Sequence, residues 1–341
     1  MRIFVAGATG ALGRQLVPKL VERGHEVTGM TSTPAKQAKV EELGATPVVA
    51  DALNAEQVAA AVAKAEPEVI VHQLTAISAD ASIRNIDRSF AATNRLRTEG
   101  TDHLVAAARA LGVKRFVAQS FAAWLYHRVG GPVKTEDDPL DPDPMRQVRE
   151  TFGAIRHVEK AVTEADWMTG IALRYGWFYG PGTSLWTGGG HLEPIEKGRF
   201  PIAGDGSAVW SFIHIEDAAD ATVAAIEGGE RGVYNVTDDR PERVADWLPG
   251  VAETIGAPSP KRVPKLLGRL FAGKPAVIMM TELRGASNAK AKRELDWTPR
   301  HPSWREGFAE LAAAERGRAA MGERRPLTRR AAMGERRPLT A

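Results

Sequence analysis

The sequence predicts an α/β protein, a doubly wound parallel sheet with a smaller C-terminal lobe. Two observations carry that prediction. The chain opens on strand, glycine turn and helix in immediate succession, and through its first half short apolar runs alternate with segments of helical spacing. A third observation bounds it: 341 residues at 43% hydrophobic content can bury a large core. No apolar run approaches the roughly 18 residues a membrane span needs, so no membrane association is expected.

Residues 1–6, Met-Arg-Ile-Phe-Val-Ala, read as a short buried strand. Gly7-Ala8-Thr9-Gly10-Ala11-Leu12-Gly13 follows at once, then a helix with Leu16, Leu20 and Val21 on one side. In a GxxGxxG turn of this kind Gly7 permits the tight turn and Gly10 lets the backbone approach a pyrophosphate. Gly13 lets helix and strand pack closely. The first amides of the helix have no partners inside it, so they and the helix dipole suit an anion. Strands are then expected over 25–30, 47–51, 68–73, 115–120 and 167–175, and helices over 36–43, 56–65, 89–111 and 145–164. Residues 130–144, rich in Gly, Pro and Asp, read as a loop. Beyond Gly180-Pro181-Gly182-Thr183 the rhythm fails. Residues 1–180 and 207–238 are assigned to the nucleotide-binding core, with 209–215 and 232–236 returning to the sheet. Residues 181–206 and 239–312 form the smaller substrate-binding lobe, and 1–316 make one unit.

Composition narrows the chemistry. There are no cysteines, so thiolate catalysis, disulfides and cysteine-held zinc are out. The eight histidines are dispersed with no HxxxH pair, and no metal is expected. The basic pI comes from the end of the chain. Seven Arg and two Glu fall in 317–341, so that tail carries +5 of the net +3 and residues 1–316 carry −2. The tail is a direct repeat, Arg318 to Thr328 recurring as Arg330 to Thr340, and reads as a solvated extension. The body shows no basic face for nucleic acid. A cytoplasmic enzyme with a small-molecule substrate fits.

Several separate segments resemble the extended short-chain dehydrogenase/reductase family, the NAD-dependent epimerase/dehydratase family. They are GATGALG, Asp51 with Leu53, Thr93-Asn94 before Glu99-Gly100-Thr101, Arg115-Phe116-Val117, and Leu173-Arg174-Tyr175 through Phe178-Tyr179-Gly180-Pro181-Gly182. Further on come Phe212-Ile213-His214-Ile215-Glu216-Asp217, Asn235-Val236, and Ala289-Lys290 through Trp297-Thr298-Pro299. The resemblance covers about residues 1–312. It implies a Rossmann-type nucleotide-binding core and a homodimer through the helices near 89–111 and 145–164. It also implies cofactor contacts from Gly7, Thr9, Gly10, Ala11, Leu12, Gly13, Asp51, Ala52, Leu74, Asn94 and Tyr175.

One departure outweighs the matches. The family's acid/base pair is Tyr-x-x-x-Lys, and none of the four tyrosines (126, 175, 179, 234) has a lysine four residues on. The helix that should carry the pair offers Thr151 and Ile155 in one register, or Phe152 and Arg156 in the next. If chemistry is kept, Tyr126 is the candidate proton donor, with Ser120 orienting the substrate oxygen and Arg156 supplying positive charge. Trp177, Trp186 and Trp210 with Gly188-Gly189-Gly190-His191 are candidates for an apolar pocket and its lid, while His214 is expected to be structural and Glu136-Asp137-Asp138 a solvated loop.

The second strand ends without a carboxylate, at Thr31, Ser32 and Thr33 with Lys36 nearby, which favours NADP(H) over NAD(H). The expected function is an NAD(P)(H)-binding oxidoreductase, epimerase or dehydratase acting on a hydroxyl- or carbonyl-bearing small molecule. The alternatives are a non-catalytic dinucleotide sensor or an enzyme whose cofactor is only structural.

Overall fold

The computed structural model describes residues 1–77 and 83–320. The repeated tail from residue 321 onward therefore lies outside the described residues. Strands β1 (Arg2–Ala6), β2 (Glu26–Thr31), β3 (Thr46–Val49) and β4 (Val69–His72) alternate with helices α1 (Gly13–Glu22), α2 (Gln37–Glu42) and α3 (Ala55–Ala65). Helix α4 runs from Ala91–Arg95 through a π turn at Leu96–Gly100 into Thr101–Ala110. Then come β5 (Arg115–Phe121), α5 (Arg149–Thr163), β6 (Thr169–Tyr175), α6 (Ile215–Glu227) and β7 (Gly232–Val236).

The seven strands form one parallel sheet in the order β7-β6-β5-β4-β1-β2-β3. The chain therefore winds outward in both directions from β1 and β4, and a crevice opens above their C-terminal ends. Alternation along each strand feeds two cores. Ile3 and Val5 pack with α1 and α6 residues such as Leu16, Leu20 and Ala218, whereas Phe4 and Ala6 face Val58, Leu104 and Val158 on the other side.

A third core belongs to the C-terminal lobe, around α7 (Val244–Thr254), α8 (Lys265–Thr281) and α9 (Trp304–Ala320). Trp247, Trp304 and Phe308 are fully buried there, each contributing about 1.5–3 kcal/mol or more by leaving water. Helix α8 breaks at Gly273, whose φ of 90° is left-handed territory. One expectation needs correction. Residues 209–215 do not return to the main sheet. Val209–Trp210 pairs with Glu242–Arg243, and Phe212–His214 pairs with Trp177–Tyr179, in separate two-stranded ladders. Gly176 explains the departure: a Cβ there would sit 2.7 Å from the Ser211 carbonyl oxygen, so the chain crosses tightly and leaves the sheet. No helix among the described residues is long and apolar enough to cross a membrane.

Candidate active site

An open cleft lies above the C-terminal ends of β1, β2 and β4. Nine of the residues expected to touch a dinucleotide line it: Gly7, Thr9, Gly10, Thr31, Ser32, Lys36, Asp51, Ala52 and Leu74. Its floor is a backbone cradle. Gly7 has φ of 97°, and a Cβ there would meet the Gln73 carbonyl oxygen at 2.7 Å. A Cβ on Gly13 would come within 2.4 and 2.5 Å of the Gly7 and Ala8 carbonyl oxygens. Gly13 thus packs on the turn itself. No side chain caps the start of α1; the amides of Arg14 and Gln15 are taken by the Gly10 and Leu12 carbonyls, which leaves those of Ala11, Leu12 and Gly13 for an anion. Leu12 turns its side chain into the core and Ala11 is half-buried, and neither lines the cleft. These features fit a pyrophosphate-bearing dinucleotide.

At the adenosine end, β2 finishes in the buried Thr31, followed by the exposed Ser32, with Lys36 beyond. The carboxylate on this part of the rim is Asp51, one oxygen of which accepts the Leu53 amide at 2.9 Å. Met30, Ala50, Gln73, Thr75, Ala76 and Leu96 also line the cleft and were missed in the sequence. Most of them flank strand ends, which is the positional signal that could have found them. Two expected contacts sit differently. Tyr175 is fully buried, its hydroxyl between Thr222 (2.7 Å) and Gln73 (3.4 Å), so it supports the cleft from beneath through Gln73. Asn94 donates to Thr151 at 3.1 Å, and its own carbonyl oxygen is buried without a partner.

The residues proposed for acid/base work are not brought together. Ser120 faces α5 and donates to Glu159 at 2.5 Å. Glu159 holds Arg174 in a fork with both contacts at 2.7 Å. Arg174 donates to the Tyr126 hydroxyl at 3.0 Å, and Tyr126 donates to Asn235 at 2.6 Å. Tyr126 is 3% exposed and lines neither cleft described here. Burial pushes its phenol up to about 12, against the pull of Arg174 and Asn235, which makes it a weaker acid. Tyr126 and Ser120 are thus tied into one buried network in this structure. Arg156 lies on the solvent side of α5, 6.0 Å from the Phe152 ring, and does not join them.

Phe121, the next residue along β5, packs against Phe152 and Ile155 of α5 and stands edge-on to Trp124 at 5.5 Å and Trp177 at 5.1 Å between centroids. Phe121 is the residue that sequence reasoning missed. Beside it is an apolar pocket lined by Phe90, Trp124, Trp177, Trp210, Trp247, Phe200, His191 and several aliphatic side chains. Trp177, Trp210 and His191 are placed as expected, while Trp186 packs instead near His214 and Phe308. The pocket also includes Ile77, one residue beyond Ala76 of the dinucleotide cleft, so the two sites adjoin. Among the described residues lining the pocket, His191 is the one titratable side chain, and burial lowers its pKa, favouring neutral imidazole.

His214 caps α6, accepting the Glu216 amide. With Asp217 and His301 it forms a buried group whose polar atoms lie within 4.8 Å of one another. Asp217, however, already accepts the amides of Arg300 and His301 and the His301 ring, all at 2.8–2.9 Å. The group clamps the 300–301 loop to α6. Glu136 is no free loop acid either: it accepts the Asn235 amide at 2.6 Å, and burial raises its pKa.

A model of the NAD dependent epimerase/dehydratase family matches residues 3–237. The chain belongs to that family. Among curated family relatives, the "3-diazoavenalumate denitrifying reductase" of a Streptomyces species is 44% identical over 312 residues, spanning 90% of this chain and 99% of that one. A ketoreductase of Stigmatella aurantiaca acting on a farnesylated dihydroquinoline oxide is 28% identical over 75% of this chain and 74% of its own. Among solved structures, the UDP-glucose 4-epimerase of Thermotoga maritima superposes with a TM-score of 0.73 at 21% identity, covering 94% of this chain and all of the other. Family membership and these relatives make the chain an NAD(P)-dependent enzyme of the oxidoreductase, epimerase or dehydratase type.

Proposed function

We propose that the protein is an NADP(H)-dependent reductase whose substrate accepts hydride without needing a proton from the protein, and that this substrate is an arenediazonium-type compound. The observation that carries the reading is Phe121 with its aromatic neighbours at the end of β5, beside a pocket whose lining among the described residues offers no carboxylate, phenol or ammonium. Reducing a carbonyl creates an alkoxide, which needs a donor, and losing a positioned donor typically costs about 10²–10⁴-fold. Epimerisation and dehydration need a base as well. Reducing a cation needs neither. The name of the 44% identical relative joins a diazo substrate, loss of nitrogen and reduction, which is chemistry of this class.

The sum balances. An arenediazonium, Ar–N≡N⁺, takes up one hydride; its C–N bond breaks, a C–H bond forms and dinitrogen leaves with the C–N electron pair as the lone pair on its nitrogen. Two electrons and one hydrogen enter, the positive charge passes to the oxidised nicotinamide, and no net proton is consumed. A bound dihydronicotinamide supplies the hydride. The chain's own residues hold that group on the Gly7–Gly13 cradle, bring the substrate beside Ile77, and exclude water with the indoles. Preference for the 2′-phosphate is supported by Thr31, Ser32 and Lys36 on the cleft rim.

Purified protein with reduced cofactor and a panel of arenediazonium salts and carbonyl compounds tests this. The expected result is one equivalent of dinitrogen per equivalent of cofactor oxidised, with carbonyl turnover slower by about 10²-fold or more. Rapid carbonyl reduction without dinitrogen would overturn it.

A further inference from the structure

The apolar pocket is lined largely by aromatic rings. Trp177 stacks on Trp210 with centroids 4.5 Å apart and planes 16° from parallel, and Trp210 meets Trp247 at 5.0 Å. Trp124 stands edge-on to Trp177 at 5.9 Å and to Phe90 at 6.0 Å. All five rings line the pocket. A chain with eight tryptophans in 341 residues thus places half of them around one cavity.

From this array we infer that the pocket is a cation-selecting aromatic box, in which the π faces of Trp124, Trp177, Trp210 and Trp247 recognise a positively charged substituent on a planar aromatic ligand. The inference rests on the hydride-only reading above and deepens it by assigning its specificity. Indole is the strongest of the side-chain π systems for a cation, and the attraction grows as water is removed. Among the described residues no carboxylate lines the pocket to pair with a cation, and no lysine or arginine lines it to repel one. Neutral His191 adds no opposing charge. A positive ligand entering here can be held only by ring quadrupoles and induced dipoles, whereas a polyhydroxylated sugar would lose its hydrogen bonds to water for little return. One observation points elsewhere: the buried indole N–H groups of Trp124, Trp177 and Trp247 have no acceptor. They suit an oxygen on the same ligand, and they would equally favour an anion, so the test must separate the charges.

Equilibrium binding to the full chain, read by tryptophan quenching and calorimetry, separates them without requiring turnover. The probes share a ring, an oxygen and a similar size: (4-hydroxyphenyl)trimethylammonium, neutral 4-tert-butylphenol and anionic 4-hydroxybenzoate. The box predicts that the cation binds about tenfold tighter than the tert-butyl compound, and that the carboxylate binds weakest. Trp177→Leu should narrow the gap between cation and neutral probe to about twofold. Because that variant removes a stacked ring and can compromise folding, the second arm replaces the tryptophans with trifluorotryptophan, which keeps shape and withdraws π density. The cation's affinity should fall while that of 4-tert-butylphenol stays within about twofold. Equal binding of cation and neutral probe, tighter binding of the carboxylate, or indifference to fluorination would overturn the box. Such a result beside normal dinitrogen release leaves the hydride-only reading standing; a clear cation preference without turnover of any arenediazonium leaves the box and removes that reading.

Discussion

Tyr126 and Ser120 occupy the same few residues of sequence as the pocket yet serve a different purpose. Their hydroxyls complete a chain from Ser120 through Glu159 and Arg174 to Asn235, all inside the protein. Buried ion pairs of this kind are costly to break because one charge is left alone. Tyr126→Phe should therefore lower stability by about 1–3 kcal/mol in denaturant titration while leaving kcat within about threefold, since no proton passes through the phenol. A loss of turnover with unchanged stability would restore Tyr126 to the chemistry. At the other end of the cleft, Ser32→Asp places a carboxylate against a 2′-phosphate. The ratio of Kd for NADPH to Kd for NADH should rise by about tenfold or more, the worth of one lost charge-assisted hydrogen bond plus repulsion. An unchanged ratio would mean that the rim of Thr31, Ser32 and Lys36 does not read the phosphate.

Among the elements, the parallel strands were the most legible, because a strand buried on both faces needs a continuous apolar run and little else produces one. Residues 115–120 against Arg115–Phe121, and 68–73 against Val69–His72, show how closely composition marks such strands. The Gly7–Gly13 turn was legible for a stronger reason: backbone packing within 2.4–2.7 Å of a would-be Cβ leaves glycine as the residue that fits. The lobe was not. Phe212–His214 has strand composition, but Gly176 diverts the preceding chain, and a tertiary crossing carries no periodic signature. The network around Ser120 and Tyr126 was equally hidden, because its partners Glu159, Arg174 and Asn235 lie far away in sequence and meet only in the fold.

The clamp between α6 and the 300–301 loop makes a prediction at this scale. His301 is held above its ordinary pKa by its hydrogen bond to Asp217. Burial alone would raise the Asp217 carboxyl, but the His301 ring and the amides of His301 and Arg300 outweigh burial and lower it. Facing them are His214, lowered to about 4 chiefly by burial and then by the His301 charge, together with Arg300 and Glu310. A raised histidine stabilises fully below its unfolded value of 6.5 and loses that contribution as pH rises through the folded value. A lowered aspartate loses its contribution as pH falls through its folded value. The Tm gap between the wild type and His301→Gln should accordingly be widest between those two limits and shrink at alkaline pH. A gap that stays constant across the range would show that the His301–Asp217 contact is not a charged one.

At the scale of the whole molecule, two compartments divide the work. The sheet's crevice provides a backbone cradle, and the lobe contributes aromatic side chains to the pocket that adjoins it. The claim at the centre is that hydride moves and the protein moves no proton. The most direct measurement is kcat for an arenediazonium carrying no other titratable group, followed over about pH 6 to 9 with cofactor deuterated at C4 and, separately, in heavy water. A profile without a protein pKa, a primary isotope effect from the deuterated cofactor and no solvent isotope effect are predicted. A bell-shaped profile with a substantial solvent isotope effect would contradict the account, because it would reveal a general acid among these residues.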